Sequence, residues 1–216
     1  MPSPGDSTDR ELMSKGVLIV GGSVAGLTAA ETLREQGYQG PVTIIGSESE
    51  LPYQRPPLSK QFLSGQWAEE RVQLTSRDRM EELDIAFHMG VNAERLDPKL
   101  ALVYTSAGTF KYEHLVIATG TRARVLAGVS SEVPVLYMRE LDDAKILKSV
   151  IVSESQILIV GAGVLGSEMA ATLAQLGHRV TLVGNLRTPR LGADIEILSG
   201  AATRILLSLG VALQMD

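Results

Sequence analysis

The sequence predicts an α/β fold made of two β-α-β units, the second of them incomplete, and three observations predict it. A run of branched apolar residues, Val17-Leu18-Ile19-Val20, leads into a glycine-bearing turn and a helix-length stretch. The same order returns from Ile157 to Val160 and through Gly161 to Gly166. Each stretch then closes on a glycine, Gly37 or Gly177, followed by a second apolar run at Val42–Ile45 or Val180–Val183. Apolar runs without polar alternation belong to strands buried on both faces, as in parallel sheets.

Taken in order, the first fifteen residues are polar and are expected to form a disordered, frayed tail. The first strand is Val17–Val20, and the turn Gly21 to Gly26 enters a helix running roughly from Val24 to Gln36. Gly37 supplies the left-handed stop before the strand that starts at Val42. A Pro-rich stretch from Leu51 to Lys60 follows, then a polar helical stretch near Arg77 to Leu83 and strands near Leu102 to Thr105 and His114 to Ala118. In the second unit the helix reaches Leu176, with Gly177 as its stop. The end, Val211-Ala212-Leu213-Gln214-Met215-Asp216, reads as the start of a third strand, so this unit is expected to be cut within its sheet and to expose apolar faces. The expected segments are a tail over 1–15, a first binding segment over 16–128 and a truncated second one over 129–216.

Composition narrows the function classes. With 44% hydrophobic residues the chain can build a core unaided. The balance of 20 Lys+Arg against 25 Asp+Glu, with no basic block, argues against nucleic acid as a partner. Cysteine is absent, which removes disulfides, thiolate metal sites and any redox-active Cys pair, so electron transfer would need a bound cofactor. No apolar run approaches the roughly 20 residues needed to cross a bilayer, and the start carries no signal-like stretch. A soluble, cytoplasmic protein with no membrane partner is expected. His88, His114 and His178 lack metal-ligand spacing, and no metal is expected.

A phosphate-binding β-α turn needs one glycine for the tight turn, a second so that the backbone can approach a pyrophosphate, and a third for close helix packing. Gly161, Gly163 and Gly166 meet all three needs. The first turn has Gly21 and Gly26, with Ser23 in the middle and the small Ala25 beside it. Ser23 either holds the diphosphate slightly further off or donates its hydroxyl to a phosphate oxygen, and the second is preferred. The helix N-terminus offers N–H groups and a positive dipole end to the phosphates. Glu48 stands near the place, roughly 20 residues after the turn, where an acid would hydrogen-bond a ribose. In the second unit no acid follows Val183-Gly184-Asn185, while Arg187 and Arg190 come soon after. Those arginines are either solvated or ligands of a 2′-phosphate, which tilts the second site slightly toward NADP. The pattern is that of two Rossmann-like dinucleotide-binding units.

Leu51-Pro52-Tyr53-Gln54-Arg55-Pro56-Pro57-Leu58-Ser59-Lys60, between two such turns, resembles the FAD-dependent pyridine nucleotide oxidoreductases, in their ferredoxin and rubredoxin reductase branch. Leu115-Val116-Ile117-Ala118-Thr119-Gly120 resembles the strand and turn that close the family's first FAD segment, and Leu136–Arg139 with Leu141–Ala144 resembles its connection into the NAD segment. The resemblance implies FAD and NAD(P)H as cofactors. It implies diphosphate contacts at Gly21, Ser23, Ala25 and Gly26, a ribose contact at Glu48, a backbone contact near Ala93, and further FAD contacts at Arg55, Lys60, Thr119, Gly120 and Arg139. Gly161, Gly163, Gly166 and Arg187 would serve the nicotinamide dinucleotide. Glu168, paired with Lys60, would stand against the nicotinamide and flavin rings as the redox site. Read without the resemblance, Glu168 is also an ordinary acid in the first turn of a helix, and Lys60 an ordinary surface lysine. The implied activity is a flavoprotein reductase passing electrons from NAD(P)H through FAD to a ferredoxin- or rubredoxin-type partner. The alternative is a truncated, non-catalytic remnant that binds a dinucleotide or a protein.

Overall fold

The computed structural model describes residues 11–13, 16–130, 132–185, 189 and 196–216; of residues 11–15 and 196–198 no side chain is described. The strands are β1 (Glu11–Met13), β2 (Val17–Val20), β3 (Val42–Gly46), β4 (Ile85–Met89), β5 (Ala93–Asp97), β6 (Leu102–Thr105), β7 (Gly108–Lys111), β8 (His114–Ile117), β9 (Gln156–Val160), β10 (Arg179–Gly184) and β11 (Ala212–Met215). The helices are α1 (Val24–Glu35), α2 (Glu69–Val72), α3 (Arg77–Glu82), α4 (Leu141–Val150), α5 (Val164–Gln175) and α6 (Glu196–Ser208), with a π-helical turn at Leu58–Phe62. The chain forms two compact units, one from Gln54 backwards together with Gln73–Arg122, the other from Arg55–Val72 and Ala123–Asp216. The Pro-rich stretch is therefore shared out at Gln54. Within the first unit the two ends of that excursion are tied by an antiparallel bridge, Tyr53 to Gln73, and by the Leu74 N–H donating to the Pro52 carbonyl at 2.8 Å.

The first unit is built on a four-stranded sheet in the order β4-β3-β2-β8. All three pairings are parallel. Alternation along β2 divides its side chains between two cores. Val17 and Ile19 join Leu27 and Ala30 of α1, Met80 of α3, and Val42, Ile44 and Ile85. Leu18 and Val20 face the other way, onto Ile45, Val91, Val103 and Phe110. That second core is closed by the antiparallel ladder β5-β6-β7, so all four β2 residues are buried, as an unbroken apolar run predicts. The ladder's outer strand, β7, pairs in parallel with β1, within the stretch expected as a tail.

The second unit carries a parallel sheet in the order β11-β10-β9. Its core gathers Ile159, Val180 and Leu182 of the sheet with Met169, Ala170 and Leu173 of α5, Leu206 of α6, and Leu63 just after the π-turn. The helix stops repeat between the units. Gly37, with φ of +82°, lets its N–H reach the Arg34 carbonyl while the Tyr38 N–H reaches Leu33. Gly177, with φ of +88°, does the same for Ala174 and His178 for Leu173. Both ends are Schellman motifs, which satisfy carbonyls the helix would otherwise leave bare.

Candidate functional site

In the first unit the sheet order turns back between β2 and β8, and in open α/β sheets ligands bind in the crevice beyond the strand ends at such a reversal. Gly21 leaves β2 there with φ of +127°, and a Cβ on it would fall on the Ala118 carbonyl at the end of β8. Only glycine combines that backbone with that closeness. A Cβ on Gly26 would fall in turn on the Gly21 carbonyl, which is the close helix-to-strand packing expected of the third glycine. Ser23 is the N-cap of α1, in an extended conformation, yet its side chain makes no capping bond. An N-cap serine normally accepts from the first turn of its helix. Here the hydroxyl is not taken up by the cap, so it and the leading N–H groups stand free for a ligand. Ala25 is exposed in that first turn, and Thr119 and Gly120 are exposed after β8.

Glu48 follows β3 at the same edge of the sheet. It is half-buried and accepts a short hydrogen bond from the hydroxyl of buried Tyr53, while its main-chain carbonyl accepts from the Gly90 N–H at 2.9 Å. Ala93 opens β5, three residues past Gly90, and is exposed. Thus Gly21, Ser23, Ala25, Gly26, Glu48, Ala93, Thr119 and Gly120 all sit at strand or helix ends within the first unit. Tyr53, absent from the expected site, hydrogen-bonds the acid there. Its place in the quoted Pro-rich segment was visible, but its contact with Glu48, five residues earlier, was not.

The second unit repeats the turn. Gly161 has φ of +115°, Gly163 is the N-cap of α5, and a Cβ on Gly166 would fall on the Gly161 carbonyl. In front of Gly161 and Gly163 an added Cβ would meet nothing within 4 Å. That open cradle has the form a diphosphate needs. Gly184, at the end of β10, lies tightly behind the turn: a Cβ there would come within 2.7 Å of the Ala162 Cβ and 3.0 Å of the Met215 sulfur. The position has no room for an acid without rearrangement. Arg187 and Arg190 lie outside the described residues.

Lys60 and Glu168 do meet. Lys60 sits on the π-turn, where the Phe62 N–H donates to the Pro57 carbonyl at 3.0 Å, and Glu168 on the second turn of α5. The Lys60 Nζ is 2.8 Å from Glu168 Oε2, and the Ser59 hydroxyl donates to the same oxygen at 2.7 Å. Both side chains of the ion pair are about one-third exposed, at 36% and 31%. Arg55 and Arg139 come together as well: an Arg55 guanidinium N–H donates to the Arg139 carbonyl at 2.8 Å. Asp143 accepts from the Arg139 and Glu140 N–H groups at 2.8 and 2.7 Å, so the Arg139 backbone is held from both sides. The Arg139 Nε is buried and lacks a hydrogen-bond partner among the described residues. A buried cationic donor without a partner is costly unless a ligand supplies the acceptor, and an anionic dinucleotide has the chemistry to do so. Among the described residues no three His, Asp or Glu side chains gather as a metal would require, and no helix is long and apolar enough to cross a membrane.

Comparison with known proteins agrees with this geometry. Residues 15–216 match the model of the family described as pyridine nucleotide-disulphide oxidoreductase. A rubredoxin-NAD(+) reductase of Pseudomonas putida is 36% identical over 169 residues, which are 77% of this chain and 44% of the relative. The ferredoxin–NAD(+) reductase subunit of a benzene 1,2-dioxygenase system from Pseudomonas putida is 38% identical over 79% of this chain and 42% of its own length. Among solved structures, that of the covalent putidaredoxin reductase–putidaredoxin complex superposes with a TM-score of 0.88 at 27% identity, covering 94% of this chain and 50% of the other. The ferredoxin reductase for the CYP199A2 system from Rhodopseudomonas palustris gives 0.87 at 28% identity, over 93% and 50%. The chain spans about half the length of the relatives it matches. The disulphide in the family's description has no counterpart in these 216 residues, which contain no cysteine. Two parallel β-α-β units with matching glycine turns, and a family match running through both, establish that the chain belongs to the pyridine nucleotide-disulphide oxidoreductase family.

Proposed function

We propose that this chain supplies the dinucleotide-binding part of a flavoprotein reductase that passes electrons from NAD(P)H through FAD to a ferredoxin- or rubredoxin-type carrier. The observation that carries this most is the doubling of the phosphate cradle, a strand–glycine turn–helix built twice to the same plan. One cradle suits one dinucleotide, and a two-cofactor reductase needs two. Gly21, Ser23, Ala25 and Gly26 would hold the diphosphate of FAD, with Glu48 as acceptor for its ribose hydroxyls and Ala93, Thr119 and Gly120 as neighbours of the same ligand. Gly161, Gly163 and Gly166 would hold the diphosphate of the nicotinamide dinucleotide. Arg55, Lys60 and Arg139 are assigned to the flavin cofactor by resemblance, and the unpartnered Arg139 Nε supports that assignment. With both dinucleotides bound, the cofactors supply hydride and single-electron chemistry, while the protein aligns them and sets the local charge. Lys60 and Glu168 are the pair we assign to the rings.

The second dinucleotide is NADP(H) as readily as NAD(H). Gly184 leaves no carboxylate at the end of β10 to accept from a 2′-hydroxyl or to repel a 2′-phosphate. The two relatives from Pseudomonas putida are called NAD(+) reductases, and a further relative from a Sphingomonas species, 37% identical over 77% of this chain, is called a ferredoxin–NAD(P)(+) reductase.

The test is the visible spectrum of the purified protein with FAD, followed by anaerobic NADH or NADPH. Flavin bands that stay with the protein and bleach with the reduced nicotinamide are expected. Failure to retain FAD would instead point to a remnant without catalysis.

A further inference from the structure

An ion pair alone does not fix the Glu168 carboxylate. Both members are about one-third exposed, the lysine stem is flexible, and pairs of this kind contribute little. Ser59 is different in kind: it is fully buried, at 0% exposure. Its hydroxyl has a single proton and two acceptors within reach, Glu168 Oε2 at 2.7 Å and the Pro56 carbonyl at 3.4 Å. The proton goes to the nearer, charged oxygen. The main chain of Ser59 is gripped as well, since its carbonyl accepts from the Thr172 hydroxyl at 2.8 Å. Thr172 lies one helical turn beyond Glu168 on α5, so the two side chains share a face. The helix thus clasps Ser59 at its hydroxyl and at its carbonyl. With Oε2 taken up by Ser59 and Lys60, Oε1 is the oxygen without a partner among the described residues.

We infer that Ser59 is a positioning residue for Glu168: its buried hydroxyl fixes the carboxylate so that Oε1 is the oxygen presented to a bound ligand. The inference rests on the proposed placing of Glu168 at the redox site. It assigns Ser59 no contact with either cofactor.

Two double-mutant cycles test it, on Ser59→Ala, Glu168→Ala and their combination, with Ser59→Cys as a variant of similar volume and weaker donor strength. The first reads thermal unfolding of the ligand-free protein, where non-additivity of roughly 3 °C is expected if the hydrogen bond is present. The second reads anaerobic flavin reduction by NAD(P)H in the FAD-loaded protein. Ser59→Ala is expected to slow reduction roughly tenfold with FAD content unchanged, to slow it less than about twofold in the Glu168→Ala background, and to be partly relieved in Ser59→Cys. Additive melting shifts, or an equal slowing in both backgrounds, would overturn the positioning role while leaving Glu168 at the redox site. If Glu168→Ala by itself leaves the reduction rate unchanged, the redox-site assignment falls and the inference falls with it. If Ser59→Ala does not fold, the same cycles with Ser59→Cys decide between these results.

Discussion

Around Gly21 the preceding strand is buried on both faces, whereas around Gly161 the described residues cover only one face of the corresponding strand. Leu18 and Val20 are 0% and 8% exposed; Leu158 and Val160, at the matching positions before the second turn, are 63% and 54% exposed. The turns themselves are alike: positive φ at the first glycine, an extended N-cap at the third position, and a Cβ-free contact at the sixth. The cover differs. In the first unit the ladder β5-β6-β7 lies over the second face, and β8 lies along the free side of β2. In the second unit the described residues put neither beside β9. The comparison teaches that the glycine turn is a local device, set by a few residues, while the shelter of its strand is long-range.

Gly21→Ala and Gly161→Ala should separate most widely. Both place an alanine at positive φ, a strain of about 1–3 kcal/mol, but only at Gly21 would the new methyl also meet a backbone carbonyl. Gly21→Ala is expected to cost about 4 kcal/mol or more and Gly161→Ala no more than the strain alone. Urea unfolding measures both, and equal losses would mean that the second turn is as tightly enclosed as the first.

Next come the matching leucines. Leu18→Ala is expected to cost about 2–5 kcal/mol, because it opens a cavity between β2 and the ladder, and Leu158→Ala less than about 1 kcal/mol. A large loss at Leu158 would show that its face is covered in solution.

The helix ends give a third contrast. Arg34, in the last turn of α1, donates to the carbonyls of Leu83, Tyr38, Gly40 and Asp84 at 2.6 to 2.8 Å, and the corresponding residue of α5 is Ala174. Arg34→Ala should destabilise the first unit by about 2 kcal/mol, since it leaves partly buried carbonyls without their charged donor. An unchanged melting temperature would assign that stability to the Schellman motif alone.

The smallest effect is expected at Tyr53→Phe. Removing the hydroxyl that holds Glu48 should weaken FAD retention by roughly three- to tenfold, with little change in the fold, as one hydrogen bond is worth about 1 kcal/mol. Equilibrium flavin titration checks it. No change would mean that Glu48 keeps its place without Tyr53.

Sequence alone determined the elements whose cause is local. The strands β2, β3, β9 and β10 follow from unbroken branched apolar runs, the helices α1 and α5 from the turns that start them and the glycines that stop them, and the two cradles from glycine spacing. The repeat made the second unit legible from the first. The ladder strands β5 and β7 and the strand β4 carry no comparable signal, because their patterns are polar or half-exposed and become strands through their neighbours. Of the candidate site, the spacing of Gly21, Gly26, Gly161, Gly163 and Gly166 was readable, and resemblance supplied Lys60 and Glu168. What only the tertiary structure decided is which side chains hold the reactive ones. Ser59 and Glu168 are separated by more than a hundred residues, as are Ser59 and Thr172, and five residues separate Tyr53 from Glu48 across a turn. A glycine acts through its own backbone, which the sequence states outright, whereas the hydrogen bonds of Ser59 with Glu168 and Thr172 exist only because the fold brings two distant segments within 3 Å.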